Sequence, residues 1–200
     1  MTVATIAPTA TLVETLWPAR RESRAVRILI LMTVGVLLLW LSAKIQIPLW
    51  PVPLTMQTFV VLTLGLAYGP RLGLATLVAY LAAGAVGLPV FSGGWGEGGG
   101  IVHLYGPTAG YLVGFVVAAW ICGRLAERGW DRSPVEAVIA MLIGNLVIYV
   151  LGVSWLATQI GTVPALQHGL LPFLAGDALK IALGAVTLPL AWHLLGRRAG

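Results

Sequence analysis

ILILMTVGVLLLWLSA, residues 28–43, runs sixteen positions without a charge or a proline. A helix that crosses the hydrocarbon core of a bilayer needs about 20 mostly apolar residues. The run is continuously apolar and does not alternate at period two. It therefore reads as a membrane helix and not as a strand of a closed barrel, the other way to satisfy backbone groups in lipid. It is also too long for the apolar part of a cleaved leader, and no small-x-small site follows it, so it is expected to be retained. Five more spans follow outward from this one, near residues 54–68, 72–88, 107–123, 135–155 and 171–195. The expectation is an all-α integral membrane protein with six transmembrane helices, residues 28–196, preceded by an N-terminal arm, residues 1–27.

The charges orient the bundle. Arg20, Arg21, Arg24 and Arg27 precede the first span, Arg71 lies between the second and third, Arg124, Arg128 and Arg132 between the fourth and fifth, and Arg197 and Arg198 after the sixth. Ten of the twelve basic residues thus fall on one side, and only Lys44 and Lys180 lie elsewhere. The positive-inside rule places that side, with both termini, in the cytoplasm. Membrane orientation therefore accounts for the net charge of +5, and no nucleic-acid partner is required. With 58% hydrophobic and 10% charged residues, the 200-residue chain is excluded from the soluble globular enzymes and the disordered chains. The single cysteine, Cys122, excludes an internal disulfide framework.

The opposite side carries the proline-rich stretch 48–53, a loop 89–106 with seven glycines, and residues 154–170, read as a third loop. Loops of this kind gathered on one face suit a lid or recognition surface. Trp50, Trp95, Tyr105 and Trp155 lie on that side, as belt residues or as walls for a flat apolar ring. Asp177 and Lys180 are the acid and base inside a span. Their i, i+3 spacing puts them on one helix face near its outer end, either as a self-neutralising pair or as a polar site. In such a site the acid accepts ligand N–H groups and the ammonium binds a carbonyl or carboxylate. Gly106-Pro107-Thr108-Ala109-Gly110-Tyr111 reads as a helix start with Pro107 in the first turn. Gln57 and Thr58 near the start of span two, and Asn145 and Tyr149 in span five, are candidates for interhelical bonds or for the site. There is no GxxxxGK[ST], HExxH or GxSxG motif, and the histidines lack metal-ligand spacing. No catalytic residue, metal or cofactor is expected.

PVPLTMQTFVVL (51–62), GLPVFSGG (87–94), GPTAGYLVGF (106–115) and LLPFLAGDALKIALGA (170–185), in this order and spacing, resemble the BioY family, the biotin-specific S components of energy-coupling-factor (ECF) transporters. The likeness covers roughly residues 28–195. The resemblance implies the six-helix S-component fold and high-affinity capture of biotin at the outer face of a bacterial inner membrane. It implies release inside by toppling, driven by an ECF transmembrane coupling subunit and two cytoplasmic ATPases. Matched by motif, Asp177 and Lys180 are the family's polar pair. Gly94 of the outer loop and Gly106, Thr108 and Tyr111 of the GPT-x-GY turn belong to its binding elements. Gln57, Asn145, Tyr149 and Trp50 complete the expected substrate-binding set. Two departures stand out: Ala109 replaces a glycine common in the family, and the glycine-rich loop carries Glu97 and no arginine. Lys180, backbone N–H groups and His103 are then the alternatives for the ligand carboxylate. Three other readings compete with biotin capture: an S component for another small vitamin, an intramembrane enzyme using Asp177 and Lys180, and a structural subunit without a ligand.

Overall fold

The computed structural model describes residues 11–18, 24–94 and 96–198. Trp95, Arg20 and Arg21 lie outside the described residues, as do the side chains of Arg197 and Arg198. A short helix α1 (Leu12–Leu16) precedes α2 (Arg24–Lys44), which contains the apolar run and starts four residues before it. At about 1.5 Å per residue α2 is some 31 Å long, enough to cross the hydrocarbon core. Strands β1 (Gln46–Ile47) and β2 (Leu54–Thr55) then pair antiparallel, Gln46 opposite Thr55 and Ile47 opposite Leu54. They close the proline-rich stretch into a small ribbon.

The next helical stretch, α3 (Gln57–Ala85), is broken at Gly69, where φ is 79° and ψ 176°. Glycine has no Cβ to clash there, and Pro70 pre-sets the first turn of the returning arm. The two arms double back on each other. A Cβ built on Gly73 would lie 3.5 Å from the Cα of Gly65, and Gln57 reaches Tyr80 at the far end. Spans two and three are therefore one helical hairpin. α4 (Ala109–Ala126), α5 (Pro134–Ile160), α6 (Thr162–Gly169) and α7 (Leu171–Arg198) complete the chain. Among the described residues, five helical stretches are long and apolar enough to cross a membrane, and the folded hairpin makes six passes of them.

Two local expectations change. Residues 154–170, read as a loop, are mostly helical: α5 continues to Ile160, Gly161 turns the chain at φ 88°, and α6 follows. Pro164 sits in the first turn of α6, where a missing N–H costs nothing. Pro107 lies outside α4, which begins at Ala109 with Thr108 as its flanking residue.

Lipid tails are as apolar as leucine, so close contact through small residues replaces water exclusion as the force between membrane helices. A Cβ on Gly65 would lie 2.7 Å from the Ala119 carbonyl of α4, and one on Gly114 2.9 Å from Ile148 Cα of α5. Leu39, Leu62, Leu66, Leu77, Met141 and Ile148 are fully buried between the helices, whereas Leu29, Leu146, Leu179 and Val186 face outward. The arginine-bearing segments gather at one end. Gly123 packs on Pro70, and the buried Asp131 accepts a 2.6 Å bond from Trp192 Nε1 of α7 with the Arg132 guanidinium 4.5 Å above that indole.

Candidate functional site

At the other end, α7 brings Asp177 and Lys180 to the inside of the bundle, both almost fully buried. They are bonded at 2.7 Å through Nζ and Oδ1. Lys180 also donates to the Thr55 carbonyl (2.7 Å) and to Thr58 Oγ1 (2.9 Å). An ammonium has three protons, and all three are taken. In this arrangement Lys180 holds Asp177 in place. The Thr58 hydroxyl passes its own proton to Asp177 Oδ1 at 2.9 Å, and the Tyr149 hydroxyl donates to Oδ2. A carboxylate offers about four lone-pair directions, so one on Oδ2 remains open.

Asp177 lines a narrow cavity of about 40 Å³. Its walls are apolar (Val52, Leu112, Phe115, Ile148, Phe173), with Gln57, Thr58, Thr108, Tyr111, Tyr149, Asp177 and Lys180 among its polar or charged members. A second space of about 430 Å³ lies outward of it, bordered by Gln46, Pro48, Pro51, Gly93, His103 and Gly106. Pro53, Ser92 and Thr108 border both, so the two spaces meet there. Together they form a mostly apolar chamber with the Asp177 carboxyl group on its inner wall and a roomier, open mouth. Such a chamber suits a small molecule with N–H donors on one end and a polar group on the other.

The loop beside the mouth is held by bonds from the helices around it. Lys44, at the end of α2, donates to three backbone carbonyls of the glycine-rich loop, those of Phe91, Gly94 and Glu97, each at 3.0 Å. Gln46 exchanges two bonds with Gly93, and Trp40 Nε1 donates to the Pro89 carbonyl. From the other side, Gln57 Nε2 donates to the Tyr80 hydroxyl (2.7 Å), which donates to the Val90 carbonyl (2.8 Å). On α5, Trp155 Nε1 holds the Gly106 carbonyl at 2.9 Å. Tyr111 uses its hydroxyl on the Gly169 carbonyl, 2.7 Å away, at the joint between α6 and α7.

Seven of the ten expected residues therefore meet around the chamber: Asp177, Lys180, Gln57, Thr108, Tyr111, Tyr149 and Gly106. Three do not border it. Gly94 lies in the loop, its carbonyl on Lys44. Trp50 is 78% exposed. Asn145 is buried in α5 with Oδ1 unpartnered. Thr55, Ser92, Phe115 and Phe173 were not singled out from the sequence, and neither was the grip of Lys44. Thr58 was a candidate beside Gln57 but was left out of the expected substrate-binding set. For Lys44 a signal existed, because it departs from the one-sided pattern of basic residues.

The profile of the BioY family matches residues 13–197. The chain belongs to the BioY family. Among its BioY relatives, one from Pyrococcus horikoshii, described as a probable biotin transporter, is 41% identical over 145 residues, 72% of this chain and 83% of that one. A biotin transporter BioY from Thermotoga maritima is 36% identical over 150 residues, 74% of this chain and 86% of that one. Among solved structures, the S component for biotin from an ECF-type ABC transporter superposes with a TM-score of 0.70 at 24% identity, covering 90% of this chain and 94% of that one. The BioY chain described here therefore has the fold of that S component.

Proposed function

We propose that this chain captures biotin from the outer face of the cell membrane and is the S component of an ECF transporter. The observation that carries the reading is the open lone pair of Asp177 Oδ2 on the inner wall of a mostly apolar chamber. Biotin offers a ureido ring with two N–H donors and one carbonyl, an apolar tail and a terminal carboxylate. A ureido N–H donated to Asp177 gives a charge-assisted bond in a desolvated setting, where such bonds are strongest. Phe115, Ile148 and Phe173 flank the ring and the start of the tail. The tail passes Ser92 and Thr108, and the carboxylate reaches the outer space, where His103 is the ionisable side chain among the described lining residues. Lys180 and Tyr149 act as positioning residues for Asp177.

The chain has no phosphate-binding loop for ATP. Uptake therefore requires a transmembrane coupling subunit and two cytoplasmic ATPases, with toppling of the bundle as the step that turns the loaded chamber inward. The one-sided arginines favour cytoplasmic termini.

Calorimetry on the purified, detergent-solubilised chain tests the reading. Biotin is expected to bind tightly without ATP, and binding to weaken in Asp177→Asn. A folded sample that ignores biotin but binds another vitamin would overturn the substrate assignment.

A further inference from the structure

A second chamber, of about 570 Å³, lies at the arginine-rich end between α1, α2 and the turn of the α3 hairpin. It is remote from the first. Arg27 on its wall and Lys44 at the mouth are seventeen residues apart on α2, about 25 Å. Arg24, Arg27 and Arg71 all line it. Among the described residues, none of the three forms an ion pair. The two carboxylates on the wall are engaged: Glu14 accepts the Thr11 N–H at 3.1 Å, and Glu127 pairs with Arg124 at 3.1 Å.

Arg27 is the anomaly. It is only 6% exposed. Among the described residues its hydrogen bond runs from Nη2 to the Val13 carbonyl, 3.1 Å, and its Nε–H is buried without an acceptor. The Thr11 hydroxyl on the same wall is also buried and unpartnered. Buried charges in proteins are paired, because an uncompensated ion out of water is costly. Here a desolvated guanidinium lines a chamber shared with two further guanidinium groups, and no carboxylate among the described residues pairs with it.

We propose that this chamber binds a phosphate group, clamped by Arg24, Arg27 and Arg71. Guanidinium forks match the oxygens of a phosphate geometrically and stay charged at every physiological pH. The phosphate has two possible sources with the same chemistry. One is the headgroup of an anionic phospholipid, which basic recesses at the cytoplasmic surface recruit. The other is free phosphate from solution. The proposal does not depend on what the outer chamber binds.

The test uses the full chain in nanodiscs, with thermal unfolding and native mass spectrometry as readouts. In discs of phosphatidylcholine, inorganic phosphate is titrated at constant ionic strength against chloride. In parallel, discs with one quarter phosphatidylglycerol are compared with phosphatidylcholine alone. Saturable stabilisation by inorganic phosphate assigns a free anion. Retention of phosphatidylglycerol on the ejected protein, with a raised unfolding temperature, assigns the lipid. In either case Arg27→Gln is expected to reduce occupancy about tenfold or more, and Arg27→Lys to restore part of it. If Arg27→Gln fails to fold, the double variant Arg24→Gln/Arg71→Gln, at two exposed positions, gives the same comparison. Two results would overturn the proposal: a wild type that responds to neither phosphate source, or variants that retain the lipid as well as the wild type does.

Discussion

Lys180 and Asp177 are bonded to each other at 2.7 Å, one turn apart on α7, and the lysine has no N–H left over for anything else. Their roles separate accordingly. Replacing Asp177 by Asn removes a charge-assisted acceptor, worth about 1.5–3 kcal/mol, so biotin affinity is expected to fall about 10- to 100-fold. The same change strands a buried ammonium, at a cost of about 3–5 kcal/mol in stability. The double variant Asp177→Asn/Lys180→Met is expected to unfold near the wild-type temperature while its biotin affinity stays reduced as in Asp177→Asn. Calorimetry paired with thermal unfolding separates the two effects. A double variant that binds biotin like the wild type would reduce the pair to a structural feature.

Lys44→Met removes the three bonds to Phe91, Gly94 and Glu97 while keeping the aliphatic stem. The first half of the glycine-rich loop then keeps its bonds to Gln46, Trp40 and Tyr80. Amides of residues 91–98 should exchange with deuterium faster, and biotin should dissociate about tenfold faster, with a smaller effect on association. Unchanged exchange in that segment would show that the loop is fixed without Lys44.

Gly69→Ala places a Cβ where φ is 79° and where Thr11 Cγ2 lies 2.8 Å away. The left-handed backbone alone costs about 1–2 kcal/mol for a residue with a Cβ. The unfolding temperature is expected to drop, while biotin affinity of the folded fraction stays at the wild-type level, because the turn lies at the opposite end from the chamber. A weakened affinity without loss of stability would mean that the hairpin turn communicates with the site.

Asp131 sits in the connection between α4 and α5, and burial raises its carboxyl above the usual carboxylate range, against the lowering effect of the Trp192 bond. A folded-state pKa above the unfolded one means that the native state holds the proton longer. The stabilisation is complete below the unfolded value and declines as pH rises through the folded one. Asp131→Asn keeps an acceptor for Trp192 Nε1 and cannot ionise. Its unfolding temperature is expected to vary less with pH above 4 than that of the wild type. Parallel curves for the two proteins would count against this linkage.

The six passes were legible because apolar runs and one-sided arginines are local signals. The hairpin was legible too, since Gly69-Pro70-Arg71 interrupts hydropathy between two spans. The helix α6 was not: its segment holds Gly161, Pro164 and polar residues, all loop-like by composition, and it is ordered by packing, as at Gly169 on Tyr111. At the site, an acid and a base three apart on a helix announced themselves. What they bond to did not. Thr55 and Thr58 lie more than a hundred residues earlier in the chain, and a saturated ammonium cannot be told from a free one until its neighbours are in place.

α2 carries the grip on the entrance at one end, through Trp40 and Lys44, and Arg24 and Arg27 at the other. Between them it has no proline, and its one glycine, Gly35, is wedged against Thr76. Such a helix works as a lever rather than as a hinge. Any tilt that pulls the glycine-rich loop off the chamber swings the arginines at the opposite membrane face. If α2 tilts as one body, a displacement at the outer entrance and one at the inner surface belong to a single movement, although the two places share no contact.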